Sequence, residues 1–450
     1  MLARLIRSKG LANLLRRGWA IVNRTGFTPR RMQRALTGFA DLLSRYDARA
    51  TFPVTAAALH RHPAVLRQLL ARAPVVELAV HGHHHSDLSL LPESEQAAEI
   101  EQAVALFRAN GIPFAGFRAP YLRWNDSLLA ALDAAGLWYD SSHCVLWPVI
   151  DDGALAADQR ECVQLLCDFC QPRPAETFPA LPFWINGLLE IPVSFPDDEM
   201  LVERLRLRDG EQMAAVWTAA LEQCHARGEL FVLQLHPERF PLCAGALETL
   251  LQRARALRPP VWLASLRDVT VWWREKRALR VDLTPRGAGC WEVIAEGAAR
   301  GMLLVRGAEV DAESSPWSRG YRMVSERRFA LRADSRPCVG ISSAAPLELL
   351  QFLADQGYVV EVSDRAAGYS VYLDRGTFSQ HDVLPLLAQI ESTPDPLVRW
   401  ARWPGGAGSA LAVTGDVDAL TVWDYLVRPF EKHGKTASEI CVISGSEPRT

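Results

Sequence analysis

The segment Glu77-Leu78-Ala79-Val80-His81-Gly82-His83-His84-His85-Ser86-Asp87 runs from a short apolar stretch into four histidines within five positions. In α/β folds the working side chains gather at the carboxyl ends of parallel strands, so an apolar run that stops on polar residues reads as a strand delivering chemistry. His81 and His85 stand four apart, a spacing that a helical turn would place on one face. Imidazole is a favoured ligand of zinc and similar metals, and the pair reads as two ligands of one ion.

Outward from this segment, helical and β-rich patterns alternate. Arg31 to Tyr46, Ala64 to Ala73, Ser94 to Asn110 and Leu128 to Ala135 carry apolar residues at helical spacing. Ala50-Thr-Phe-Pro-Val-Thr55, Glu77 to Val80, Phe114 to Phe117, Glu190 to Ser194, Leu230 to Leu235 and Pro260 to Ala264 read as strands. Repeated βα units imply a mostly parallel sheet, open or closed into a barrel. Past two of these strands stand further polar groups: Arg118 in Gly116-Phe-Arg-Ala-Pro-Tyr121, and His236 in Phe231-Val-Leu-Gln-Leu-His-Pro-Glu238. A guanidinium fork can hold a carboxylate in one orientation.

The 450 residues are enough for two or three domains, each with a core of its own. A hydrophobic share of 49%, a charged share of 22% and a net charge of -3 describe an ordinary globular protein with no global call for a nucleic-acid partner. Charge is uneven at the start, where Met1 to Arg34 holds nine Lys or Arg and no acid. Residues 1–27 are expected to form a basic amphipathic helix, and residues 1–24 to permit peripheral membrane contact. Arg16 and Arg17 interrupt what would otherwise be the apolar core of an export signal. With nine cysteines besides, the expected compartment is the cytoplasm, at the inner face of the membrane where contact occurs. Cys162, Cys167 and Cys170 lie among apolar neighbours without a clear fourth ligand, so they read as small apolar residues.

In order and spacing, Ala50-Thr-Phe-Pro-Val54, the His81 and His85 pair, Phe117-Arg-Ala-Pro-Tyr121, Gly136-Leu-Trp-Tyr-Asp140-Ser-Ser142 and Leu233-Gln-Leu-His236 resemble the polysaccharide deacetylases, the NodB-homology group of carbohydrate esterases. The resemblance covers roughly residues 28 to 275. It implies a distorted (β/α) barrel, one divalent metal held by two His and one Asp, and hydrolysis of N-acetyl sugars.

One departure stands out. Family members open with a strand ending in an aspartate pair, one the base and one a metal ligand. Here the corresponding Ile21-Val-Asn-Arg-Thr-Gly-Phe-Thr-Pro29 has no carboxylate. Near the other end, Ser409-Ala-Leu-Ala-Val-Thr-Gly-Asp416-Val-Asp418 is a short β-run ending in two aspartates, and it looks like an Asp-x-Asp version of the missing motif. The expected arrangement is therefore a circularly permuted deacetylase barrel. Residues 28–276 would form its body, and 405–432 the strand and helix that complete it. Residues 277–404 would be a small α/β or α+β domain, expected to contain a helix near Pro346 to Gln356 and strands Tyr358 to Val362 and Tyr369 to Leu373, and residues 433–450 a tail.

By the resemblance His81, His85 and Asp418 hold the metal, Asp416 takes a proton from water, and Arg118 orients Asp416. His236 protonates the departing amine, and a backbone N–H near Tyr121 helps hold the oxyanion. Which aspartate is base and which is ligand stays open, as does the choice of Asp87 or Asp140 as support for the ligands. Zinc suits two imidazoles and a carboxylate, with cobalt, manganese or iron accepted by the same set. The alternatives are an amidase for a non-sugar amide and a non-catalytic glycan-binding protein.

Overall fold

The structure, a computed structural model, describes residues 22–72 and 74–431. The expected N-terminal basic helix and C-terminal tail fall on residues that lie largely outside these. No described helix is long and apolar enough to cross a membrane.

The body is one curled sheet. Its strands are β1 (Ala50–Val54), β2 (Val76–Val80), β3 (Gly116–Phe117), β4 (Tyr139–Asp140), β5 (Cys144–Leu146), β6 (Arg173–Pro174), β7 (Phe183–Ile185), β8 (Leu188–Glu190), β9 (Val193–Phe195), β10 (Leu230–Leu235) and β11 (Val261–Ala264), joined by the C-terminal strand Ser409–Gly415. The order is β6-β5-β9-β10, then the C-terminal strand, then β1-β2-β3-β4-β8-β7, with β11 also on the C-terminal strand. All neighbours are parallel except β7 and β8. Since β6 and β7 are the two ends of that order, the sheet is an open half-barrel rather than a closed ring.

Helices pack on its outer face. The helix Arg30–Arg45 buries Met32, Leu36, Phe39 and Leu43, a spacing of three and four that makes one apolar stripe. Phe39 stacks on Phe240 with ring centroids 5.0 Å apart and meets the edge of Phe52 at 5.3 Å, tying this helix to β1 and to the helix Phe240–Ala256.

The C-terminal strand is buried along its whole length. It pairs with β10 from Leu230↔Ala410 to Leu235↔Gly415, with β11 from Val261↔Ser409 to Ala264↔Ala412, and with β1 at Ala50↔Val413 and Thr51↔Thr414. It thus fills a forked slot, β11 beside its first half and β1 beside its second. Without it, the facing N–H and C=O groups of β1 and β10 would lose their partners in a dry interior. Gly415 stands at the end of the strand, where there is no room for a side chain: a Cβ there would lie 2.7 Å from Phe52 and 3.0 Å from Phe39.

Three boundaries differ from the sequence reading. The single strand expected at Glu190 to Ser194 is two strands, broken at Ile191-Pro192, because proline has no N–H for the ladder. The strand expected from Phe114 is only Gly116–Phe117. Residues 277–404 contain far more β-structure than the two strands expected: two four-stranded antiparallel sheets and a three-stranded parallel sheet, with helices Leu347–Asp355 and Val383–Glu391. The eight described cysteines are all free, and Cys162, Cys167 and Cys170 lie on the helix Ala157–Cys170.

Candidate metal centre and active site

The parallel strands deliver their carboxyl ends to one rim, where a cleft of about 710 Å³ collects His81, His85, Tyr121, Gln234, His236, Asp416 and Asp418. His81 leaves β2 directly, its N–H bonded to Val54 O at 3.0 Å. The expected helical turn between the histidines is absent. Gly82 takes φ +76°, in the left-handed region open to glycine, and a bend turns His85 back toward His81, with ring centroids 5.1 Å apart.

Asp418 meets both rings. Its Oδ1 is 3.4 Å from His81 Nε2 and its Oδ2 is 3.3 Å from His85 Nε2. The three form a cluster whose donor atoms lie within 4.8 Å of one another. His81 Nδ1 binds Arg118 O at 2.8 Å, which directs Nε2 toward the cluster. With Nδ1 as the donor, Nε2 presents a lone pair to a carboxylate, an arrangement that suits a cation shared between them. Burial pushes the Asp418 carboxyl up, but His85 and then His81 outweigh it and hold Asp418 well below the ordinary carboxylate range.

Asp416 occupies a different position. It is 1% exposed, and Arg118 Nη1 donates to its Oδ1 at 2.8 Å while Gln234 Nε2 donates to its Oδ2, also at 2.8 Å. Arg118, wholly buried, also donates from Nη1 to Thr414 Oγ1 at 2.6 Å, from Nε to Ser141 O at 2.9 Å and from Nη2 to Ser141 Oγ at 2.9 Å. The guanidinium therefore joins the ends of β3, β4 and the C-terminal strand. The geometry divides the two aspartates, Asp418 beside the imidazoles and Asp416 beside the arginine.

His236 closes the cleft from the end of β10. Its Nδ1 lies 2.7 Å from Asp198 Oδ1, and its backbone N donates to Asp198 Oδ2 at 2.7 Å. Burial alone would lower the imidazole, but the Asp198 charge wins and raises His236 well above its ordinary value. Asp198 is held low by His236 and Arg239 against the effect of its own burial. Neighbouring Asp197, buried and next to Asp198 and Glu199, is pushed up to about 7.

Tyr121 has φ +62° in the turn after Pro120, and its ring packs edge-on against His85 with centroids 4.4 Å apart. Asp87 accepts from Ser89 N and Oγ and pairs with Arg123 Nε at 2.7 Å. Asp140 accepts from Ser142 Oγ at 2.7 Å. The group that orients His81 is the Arg118 carbonyl.

Two residues of the site were not read from the sequence. Gln234 had a signal: in the strand ending at His236, a residue two positions earlier points to the same side of the sheet. Asp198 had only a weak one, a carboxylate pair following Phe195-Pro196 just past β9.

No curated protein matches the sequence. Among solved structures, a probable polysaccharide deacetylase from Pseudomonas aeruginosa PAO1 aligns at 18% identity, over 53% of this chain and 72% of that one, with a TM-score of 0.41. An allantoinase gives 18% identity over the same shares, also at 0.41, and a family 4 carbohydrate esterase pseudoenzyme from Bacillus anthracis gives 15% over 23% and 37%, at 0.22. Residues 29–139, about a quarter of the chain, match the family model of the polysaccharide deacetylases.

Proposed function

We propose that this chain is a metal-dependent hydrolase that removes N-acetyl groups from a sugar or glycan, built on a deacetylase barrel whose first strand is supplied, by circular permutation, from the C-terminal segment. The observation that carries the reading is the meeting of residues more than 300 positions apart: Asp418 stands 3.3 to 3.4 Å from His85 and His81, with Asp416 beside it on Arg118. The C-terminal strand lies between β1 and β10, the slot that brings an Asp-x-Asp ending to the histidines. On this reading residues 277–404 are an insertion between the body and its last strand.

His81, His85 and Asp418 are the residues that would hold a divalent ion, zinc by ligand preference. Such an ion lowers the pKa of a bound water and polarises the amide carbonyl. Asp416 is the base. Both its oxygens accept hydrogen bonds, from Arg118 and Gln234, and these hold the carboxylate still for the incoming proton. His236 is the acid. Asp198 fixes its Nδ1, so the imidazolium can give its proton from Nε2 to the departing nitrogen, which as an amide anion would be a very poor leaving group. Tyr121 and Phe169 line the cleft with aromatic surface that suits the apolar face of a sugar ring.

The test combines metal analysis of the purified protein with amine release from N-acetylated sugars. Wild type should bind metal and release amine. His85→Ala should lose both, and Asp416→Asn should keep metal but not turnover. Full metal in His85→Ala removes the ligand assignment. A metal-loaded protein that ignores every N-acetyl sugar yet cleaves small cyclic or linear amides moves the substrate to the non-sugar class, and glycan binding without metal or turnover supports a binding protein.

A further inference from the structure

A second cluster of ligand-type side chains lies in the body of the sheet, sharing no residue with the His81, His85 and Asp418 group. Asp140 ends β4 and Glu190 ends β8, and the two are direct partners in the parallel ladder between these strands. Their side chains therefore leave on the same side. His143, three residues after Asp140, turns toward them, held by Trp124 stacked on its ring at 3.8 Å and by the edge of Phe183 at 5.4 Å. Asp140 and Glu190 are 0% exposed and His143 is 6% exposed.

Half of the carboxylate oxygens here have partners. Glu190 Oε1 accepts from Ser142 N at 3.2 Å and His143 N at 3.1 Å, and Asp140 Oδ1 accepts from Ser142 Oγ. Asp140 Oδ2, Glu190 Oε2 and His143 Nδ1 are buried and make no hydrogen bond, and each of the three residues brings a ligand atom within 4.8 Å of the others. Nδ1 and Oε2 are 3.1 Å apart but not aligned as donor and acceptor. A misaligned contact of that length is a poor hydrogen bond but a normal separation between two atoms ligated at about 2.0–2.2 Å to the same ion.

We propose that Asp140, His143 and Glu190 form a second divalent-cation site, structural rather than catalytic, of the class served by one imidazole and two carboxylates. Two carboxylates in a dry interior are costly unless their charge is met, and a divalent ion neutralises both while giving all three idle atoms a partner. The competing occupant is a proton. Burial and then the Glu190 charge push Asp140 well above the ordinary carboxylate range, so in the absence of a cation the pair would share one proton.

An ion here would stiffen the floor of the active site. Ser142 Oγ, which donates to Asp140, also accepts from Ala119 N at 2.8 Å, and adjacent Ser141 holds two nitrogens of Arg118. The path from the cluster to the arginine that positions Asp416 is thus two residues long.

The test counts metal in the full-length protein loaded with Zn²⁺ and, separately, Co²⁺, then desalted. Wild type should hold two ions per chain. A chelator added to the native protein should strip the ion of the open cleft and leave one, released only when guanidinium unfolds the chain, because no residue of the second cluster is more than 6% exposed. His85→Ala, Glu190→Gln and His143→Gln should each hold one. Should the two latter variants fail to fold, the chelator split in wild type and the count in His85→Ala still decide. One ion in wild type that His85→Ala abolishes overturns this site while sparing the catalytic one. A single ion that survives His85→Ala and is lost in Glu190→Gln supports this site and sinks the other, and no ion at all sinks both.

Discussion

Replacing Arg118 with Met tests whether the guanidinium is the clasp between the C-terminal strand and the body. Arg118 is fully buried and spends its nitrogens on Asp416, Thr414, Ser141 O and Ser141 Oγ, four bonds between 2.6 and 2.9 Å. Met fills a similar volume, so the packing loss is small. What remains is Asp416, 1% exposed, with its charge facing an apolar side chain and only Gln234 still donating to it. Breaking a buried ion pair from one side typically costs about 3–5 kcal/mol, and that is the loss expected in urea unfolding of Arg118→Met. Asp416→Asn removes the charge that the arginine answers, and in the double variant neither charge is stranded. The two losses should therefore fail to add, with a coupling of roughly 1–3 kcal/mol in the double-mutant cycle. Arg118→Lys keeps the charge but not the fork and should fall between. If Arg118→Met costs less than about 1 kcal/mol, or the cycle shows no coupling, the pair does not hold the strand in place and the clasp is wrong.

The other predictions concern the acid and the inserted strand. In Asp198→Asn the charge that raises His236 is gone while Arg239 remains, so the alkaline limb of the pH–rate profile should move down by about 1–3 units; an unmoved limb takes the role of acid away from His236. Linkage has a matching sign: a group whose folded pKa is raised stabilises fully below its unfolded value, about 6.5 for histidine, and loses that contribution as pH climbs through the folded pKa. Stability of the wild type should accordingly decline on the alkaline side of neutrality, a slope that His236→Gln flattens in denaturation curves taken at several pH values. His236→Ala should retain metal yet lose roughly two to four orders of magnitude in turnover, partly recovered on substrates with a better leaving group, whereas equal loss on good and poor leaving groups would mark it as structural. Gly415→Val places methyl groups against Phe52 and Phe39 and should cost about 1–3 kcal/mol by overpacking; a neutral effect in thermal melts would mean the C-terminal strand is not seated against β1.

The parts of this fold that could be read from the sequence are those where burial imposes a period. The helix Arg30–Arg45 and the strands β1, β2 and β10 carry continuous or evenly spaced apolar residues because one face or both are covered. Some strands of residues 277–404 carry no such signal. Arg280–Gly287 buries only Leu283 in eight residues, so its pairing with Cys290–Glu296 leaves almost no hydrophobic pattern behind. Asp198 went unread for a different reason: its importance is a 2.7 Å contact with a side chain 38 positions away, and loop residues past a strand obey no period. The His81 and His85 spacing marks two rings that the structure does bring together, but without the helical turn, since a glycine at φ +76° converges them.

Asp416 and Asp418 show how distant stretches of chain can meet at one rim. A metal centre requires side chains from the ends of adjacent strands, and a parallel sheet brings every such end to one rim whatever the order in which the chain visits the slots. Between β1 and β10 the slot must be filled by some strand, because both neighbours present backbone groups that need partners. The filling strand here needed to be apolar on both faces, short of bulk at its end, and terminated by two carboxylates on alternate positions. Ser409–Gly415 followed by Asp416-Val417-Asp418 meets these conditions with Ala410, Leu411, Ala412 and Val413 in the core, Gly415 against Phe52, and Val417 opposite Val54, the last residue of β1, with its N bonded to Pro53 O at 2.7 Å. That last bond sets the division of labour. It places Val417 beside β1, so Asp416 falls back under Arg118 while Asp418 reaches forward to the imidazoles. Two residues apart, the aspartates share one side of the strand, and their different places along it set Asp416 beside Arg118 and Asp418 beside His81 and His85.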